Sequence, residues 1–212
     1  LLPFVFEPDF GYRRYVEWAL DVPMFFLVRG DDYQPGGGLT FRRFLQDGAD
    51  GARATFADFD RHLTTLFPEV RLKHILEVRG ADAVPPGLTC SLPALWKGLL
   101  YDAAARAAAW DLVAEVPFEA REAARSDVAR RGLQADYAGT PVLELARALT
   151  ELSRAGLARI AHAGRRDPDE TPFLGPILEL LETGRSLGER LIDSWEGEWN
   201  RSVDRLIEHT RY

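Results

Sequence analysis

The stretch on which the fold turns is Glu69-Val70-Arg71-Leu72-Lys73-His74-Ile75-Leu76-Glu77-Val78-Arg79-Gly80. Val70, Leu72, His74, Leu76 and Val78 share one parity; Arg71, Lys73, Ile75, Glu77 and Arg79 share the other. Successive side chains of an extended chain point to opposite faces. The spacing therefore predicts a strand over 69–80 with a charged face of Arg71, Lys73, Glu77 and Arg79 around Ile75. His74, on the apolar parity, is expected as a hydrogen-bonded core histidine. A solvated sheet face has this pattern. So does a cleft for phosphate or carboxylate groups, which needs several cations around one acid. Glu77 is the only acid on that face and the best candidate metal ligand, because magnesium takes one or two carboxylates together with substrate phosphates. Such a pairing would neutralise charge during phosphoryl transfer.

Upstream, Gly11–Val22 reads as a short amphipathic helix stopped by Pro23, and the apolar run Pro23–Arg29 as a buried strand. Gly30–Gly38 is expected as a loop. Its Gly36-Gly37-Gly38 lacks the lysine and hydroxyl of a phosphate-binding loop, and a surface turn is the simpler reading. Helices follow over Leu39–Gln46, with Thr40 as cap, and over Thr55–Leu66, closed by Pro68. Downstream of Cys90 the pattern turns helical: Leu92–Val113, Pro117–Leu133, Pro141–Ala163, Pro172–Glu182 and Ser186–His209, with a polar loop over 165–170. This divides the chain into a mixed segment, 1–90, and a helical region, 91–212.

Composition sets the limits. With 212 residues, 46% hydrophobic and 28% charged at a net −7, the chain is too apolar for disorder and carries no global sign of nucleic-acid binding. No apolar run is long enough to predict a membrane span. The single cysteine, Cys90, rules out an intrachain disulfide and is expected as a small buried residue; it suits a reducing compartment, and a cytoplasmic location is expected. His62, His74, His162 and His209 show no zinc spacing. Asp9, Asp31, Asp32 and Asp82 lie beside turns, where capping explains them. The start Leu1-Leu2-Pro3 lacks a methionine and reads like the middle of a longer protein.

Three motifs then carry a resemblance. They are Phe10-Gly-Tyr-Arg-Arg-Tyr-Val-Glu-Trp-Ala-Leu-Asp-Val-Pro-Met24-Phe-Phe-Leu-Val-Arg29, His62-Leu-Thr-Thr-Leu-Phe-Pro-Glu-Val-Arg71-Leu-Lys73 continuing to Glu77-Val-Arg79-Gly-Ala-Asp82, and Leu92-Pro-Ala-Leu-Trp96-Lys-Gly-Leu-Leu-Tyr101-Asp102. In this order they resemble the glutamate–cysteine ligase family of plants and many bacteria. The resemblance implies an α+β fold like that of glutamine synthetase. In it an antiparallel sheet curves into a funnel, the active-site strands lie in 1–90, and the helical region packs on the same domain. It implies activation of L-glutamate by ATP to a γ-glutamyl phosphate and displacement of phosphate by L-cysteine, with Mg²⁺. Glu77 matches the family's metal-ligand carboxylate and Arg79 its phosphate-contacting arginine. Arg71 and Lys73 match the same catalytic strand, with Lys73 beside Arg79 at the nucleotide. Arg29 would meet glutamate, and Met24, His62 and Trp96 would shape the substrate pocket. Family members are longer, and the likeness is to their C-terminal half, so the N-terminal half of the same protein is the expected partner. One glutamate cannot assemble the family's metal cluster, and one cysteine cannot reproduce the plant enzymes' redox control. Two other readings stand beside this one. The first is a ligase of the same superfamily with another acceptor amine, as in ergothioneine-type thiol synthesis. The second is a non-catalytic helical interaction module, marked by exposed apolar surface around Trp195 and Trp199.

Overall fold

The fold, seen in a computed structural model, is α+β; residues 2–164 and 168–211 are described. The first three residues of the polar loop expected over 165–170 lie outside the described residues. Two compact units form, Leu1–Ala81 and Asp82–Tyr212. The change of character thus comes at 81/82, where 90/91 was expected, because Pro86 already opens a short helix that belongs with the helical unit.

In the first unit, helix α1 (Tyr12–Asp21) leads into strand β1 (Phe26–Arg29), which pairs antiparallel with β2 (Asp32–Pro35). The second strand was expected as loop; Gly30, at φ +58°, allows the tight reversal that makes the hairpin. Helix α2 (Phe41–Asp47) begins where its predicted cap, Thr40, places it, and α3 (Phe56–Thr64) begins directly after Thr55. Thr40 accepts from the Arg43 N–H, and Thr55 with Asp58 forms a reciprocal capping box. The core is aromatic: Phe41 and Phe44 are buried with Met24 and Leu27, and Phe41 meets Phe59 edge-on at 5.0 Å. Gly36 fits against Met24 only because it has no side chain; a Cβ there would lie 2.1 Å from the Met24 carbonyl oxygen. Gly36 is therefore packed, while Gly37 and Gly38, at φ +59° and +80°, turn in open space.

The stretch 69–80 is a hairpin and not one strand. β3 (Val70–Leu72) pairs antiparallel with β4 (Leu76–Val78), in the register Val70 to Val78, Arg71 to Glu77 and Leu72 to Leu76. Residues 73–75 make the turn, where the Lys73 N–H donates to the Ile75 carbonyl at 3.0 Å. This overturns the core reading of His74, which sits in the turn with its side chain 86% exposed and Nε2 3.4 Å from Asp60. The hairpin is tied to α1 by the buried Tyr15 hydroxyl, which accepts from the Leu72 N–H at 3.2 Å.

The helical unit comprises α4 (Pro86–Thr89), α5 (Ser91–Tyr101), α6 (Ala103–Asp111), α7 (Phe118–Arg131), a small antiparallel pair β5 (Asp136–Tyr137) and β6 (Thr140–Pro141), α8 (Val142–Ala163), α9 (Gly175–Thr183), α10 (Leu187–Glu196) and α11 (Val203–Thr210). Two expected helices are broken. Asp102, in extended backbone, stops α5 and caps α6 by accepting from the Ala105 N–H at 2.7 Å. Asn200 and Arg201, both at positive φ, separate α10 from α11. The centre is the crossing of α5 and α8. An added Cβ on Gly156 would lie 2.1 Å from the Gly98 carbonyl oxygen, and one on Gly98 2.2 Å from that of Ser153. The backbones therefore touch, and the fully buried Ser153 hydroxyl donates to the Leu95 carbonyl at 2.9 Å. Arg121, 4% exposed, donates to the Val113, Ala114 and Val116 carbonyls, closing the turn after α6 with a cation where the helix dipole is negative. Cys90 is exposed, contrary to the buried expectation, because it lies at the junction of α4 and α5. Among the described residues no helix is long and apolar enough to cross a membrane.

Candidate active-site hairpin

The β3–β4 register keeps Arg71 and Glu77 of the predicted charged face together and moves Lys73 and Ile75 into the turn. Arg71 and Glu77 are directly opposite one another, and cross-strand partners share a face. Arg79 follows two residues after Glu77 on the same side. The Arg71 guanidinium donates from Nε to Glu77 Oε2 at 2.8 Å, and its Nη2 lies 2.6 Å from the same oxygen. Its Nη1 turns the other way, to the carbonyls of Thr64 at 2.6 Å and Leu66 at 3.4 Å. The Arg79 Nη1 donates to Glu77 Oε1 at 2.8 Å, and its guanidinium rests 5.3 Å from the centroid of Phe67. Phe67 in turn meets the exposed Phe25 edge-on at 6.4 Å.

Both oxygens of Glu77 are therefore held by arginine. Arg71, hydrogen-bonded to it, and then the Arg79 charge hold its carboxyl below the usual glutamate range, against the opposing effect of desolvation. Two guanidinium groups thus hold one carboxylate, which leaves one positive charge in excess on this face. Lys73 lies in the turn between β3 and β4.

The other expected site residues are placed differently. Arg29 donates from Nη1 to Asp58 Oδ1 at 2.9 Å and to the Val28 carbonyl at 2.7 Å, with its guanidinium 5.4 Å from the Phe44 ring. It ties β1 to α3, and its Nη2 is buried without a hydrogen-bond partner. Asp58 was missed as its partner, although the Thr55-x-x-Asp58 capping signature marked it as a fixed carboxylate. Met24 and His62 are buried in the core and flank a cavity of about 10 Å³ that they share with Asp58, Arg61 and Thr65. That volume holds no more than one water molecule. The His62 Nε2 meets the Ala19 carbonyl at 2.8 Å and its ring stacks on Phe41. Trp96 lies on α5 in the helical unit, 37% exposed.

Glu77 is one hard oxygen ligand of the kind Mg²⁺ takes, and each carboxylate oxygen keeps lone-pair capacity beyond its arginine bonds. Among the described residues no group of three or more His, Cys, Asp or Glu side chains comes together to hold a metal ion. Among the described residues, the hairpin therefore offers a metal ion a single carboxylate, Glu77.

A sequence model of glutamate-cysteine ligase family 2 (GCS2) matches residues 1–209. The chain belongs to that family. The glutamate–cysteine ligase named chloroplastic from Medicago truncatula is 40% identical over the whole of this chain and 41% of its own length. That of Arabidopsis thaliana is 40% identical over 40% of its length, and ligase B of Oryza sativa subsp. japonica is 40% identical over 42%. The chain spans about two-fifths of the length of these curated relatives. The expectation of a cytoplasmic location is overturned by the same comparison, since the matching plant ligases are named chloroplastic.

Proposed function

We propose that the full-length protein joins L-glutamate to L-cysteine at the expense of ATP, through a γ-glutamyl phosphate, and that this chain supplies the cationic hairpin of the active site. The observation that carries the reading is the Arg71–Glu77–Arg79 face with its one surplus positive charge, in a chain of this family. Arg79 and Lys73 would hold phosphate oxygens of ATP and of the phosphorylated glutamate, offsetting the charge that develops as the phosphoryl group moves. Glu77 would hold Mg²⁺, which supplies charge neutralisation and polarises the phosphate oxygens. Arg29, Met24 and His62 support the site through the core beneath β1. The missing metal ligands and the rest of the substrate pocket would come from the remainder of the protein, so the chain by itself is expected to be inactive.

The test is ADP release by the full-length protein at fixed glutamate and ATP, with cysteine, 2-aminobutyrate and other amines compared. Cysteine-dependent turnover is expected. A strong preference for another amine would move the protein to a related ligase, and absence of amine-dependent ADP release would refute ligase function. The interaction-module reading gains no support from Trp199, which is buried against His209.

A further inference from the structure

The three arginine and lysine groups of the hairpin are not equivalent, and we infer that Arg71 is a positioning residue that aims Glu77, while Arg79 and Lys73 are the cations left to meet phosphate. The inference deepens the reading above and rests on Glu77 being a metal ligand. Arg71 has its nitrogens committed in two directions. Nε and Nη2 clamp one oxygen of Glu77, and Nη1 holds the carbonyls of Thr64 and Leu66 in the turn that follows α3. Its side chain is only 14% exposed. Every one of those acceptors belongs to the protein, so a phosphate oxygen could bond Arg71 only by breaking this frame. Arg79 is 29% exposed, makes one hydrogen bond to Glu77, and otherwise leans on the face of Phe67. Lys73 lies in the turn between β3 and β4 and makes no ion pair among the described residues.

This division gives each group a distinct task. Arg71 joins the carboxylate to backbone whose position is fixed by α3, so Glu77 has one orientation before any ligand arrives. Partners of this kind behind a metal ligand set its geometry, and their loss costs roughly 10–100-fold in metal affinity. The planar fork of arginine is needed, because a single ammonium cannot reach Glu77 and the two carbonyls together. Arg71→Lys keeps the charge, so its effect reports geometry and not a change in electrostatic attraction or repulsion.

The experiment uses the full-length protein with Arg71→Lys and Arg79→Lys, both checked for folding by circular dichroism. Arg71→Ala is added only if it folds. Mn²⁺ binding without nucleotide is read by electron paramagnetic resonance, and steady-state kinetics give KM for ATP and half-saturation by Mg²⁺. Arg71→Lys is expected to weaken Mn²⁺ binding and raise the Mg²⁺ requirement about tenfold, with KM for ATP changed less than about twofold. Arg79→Lys is expected to do the reverse, raising KM for ATP about tenfold and leaving Mn²⁺ binding unchanged. Equal losses of ATP affinity in the two variants would make Arg71 a phosphate contact and overturn the inference, as would wild-type Mn²⁺ binding in Arg71→Lys. If the wild type binds Mn²⁺, loses it in Arg71→Lys, and yet releases no ADP with any amine, the positioning role stands and the ligase reading fails.

Discussion

The two units bury themselves by opposite means. The first packs large aromatic side chains around His62 and ties its elements together with charged hydrogen bonds, Arg29 to Asp58 and Arg71 to Glu77. The second brings two helix backbones into contact through Gly98, Ser153 and Gly156 and relies on the absence of side chains. A contact between bare backbones tolerates almost no added volume, whereas a charged hydrogen bond weakens when its partner is lost and costs less where other acceptors remain. In the first unit the Glu77 cluster carries one more cation than its own carboxylate balances. In the second unit, Arg159 is matched bidentately by Asp102, whose carboxyl it helps to lower to about 2, and Lys97 by Glu170.

The largest effect that would break this comparison comes from Glu77→Gln. Turnover of the full-length protein should fall on the order of 10³-fold, the scale associated with losing a charged group that stabilises the transition state. Thermal unfolding should shift little, because Arg71 keeps its two carbonyl acceptors and Arg79 keeps Phe67. An unfolding shift as large as that of a core variant would show that the cluster is structural, in the manner of Asp102 and Arg159.

Next in size is Gly156→Ala. One methyl would be driven against the Gly98 carbonyl, and backbone cannot swing aside as a flexible side chain does. A loss of about 3 kcal/mol is expected for such overpacking, read by denaturant unfolding of the helical unit. Wild-type stability in this variant would mean that the α5–α8 crossing has slack, and the contrast between the units would dissolve.

What the sequence disclosed follows the same division. The parity over 69–80 put Arg71, Glu77 and Arg79 together, as the hairpin does, but it read one strand where there are two and placed Lys73 and Ile75, which fall in the turn, on the same face. A strand and a hairpin give the same face here because each paired couple, such as Arg71 with Glu77, differs by an even number of positions. His74 was misplaced because it falls in the turn, where parity ceases to apply. The cap at Thr40 was legible since it acts through a neighbouring residue, Arg43. The breaks at Asp102 and at Asn200-Arg201 were not, because apolar residues continue on both sides of them. Nor was the commitment of Arg71 to the Thr64 and Leu66 carbonyls visible, since a guanidinium's choice of backbone acceptor depends on the turn after α3. The helix crossing left only a faint trace, Gly98 and Gly156, whose meaning depends on their facing each other across more than fifty residues.

A smaller effect is expected from Arg29→Ala. Removing the guanidinium takes a charged hydrogen bond from Asp58 and leaves the Val28 carbonyl unpaired, but Asp58 keeps the Thr55 N–H and hydroxyl. About 1–2 kcal/mol of first-unit stability should be lost, less than the full value of a buried charged pair. A double-mutant cycle with Asp58→Ala measures how much of that belongs to the pair. Coupling near zero would put the aromatic cluster alone in charge of the first unit's stability.

The smallest effect separates His62 from the carboxylates by pH. Burial pushes the His62 imidazole below its ordinary 6.5, only partly countered by the Ala19 carbonyl, so the folded chain prefers it neutral. The unfolded chain then binds the proton more readily, and stability falls as pH drops below about 6.5, at no more than about 1.4 kcal/mol per pH unit for one proton. Asp58 and Glu77 have lowered values, so their contributions are complete above the ordinary carboxylate range, 3.8–4.5, and are lost as pH falls through and below it. A plot of first-unit stability against pH should therefore show two descents, a shallow one beginning near 6.5 and a steeper one at carboxylate pH. His62→Gln removes the titrating ring and should abolish the first descent while keeping the second. If the shallow descent survives that substitution, the imidazole is not what the aromatic core excludes from protonation, and the stacking of His62 on Phe41 is tolerated packing with no bearing on the acid sensitivity of the unit.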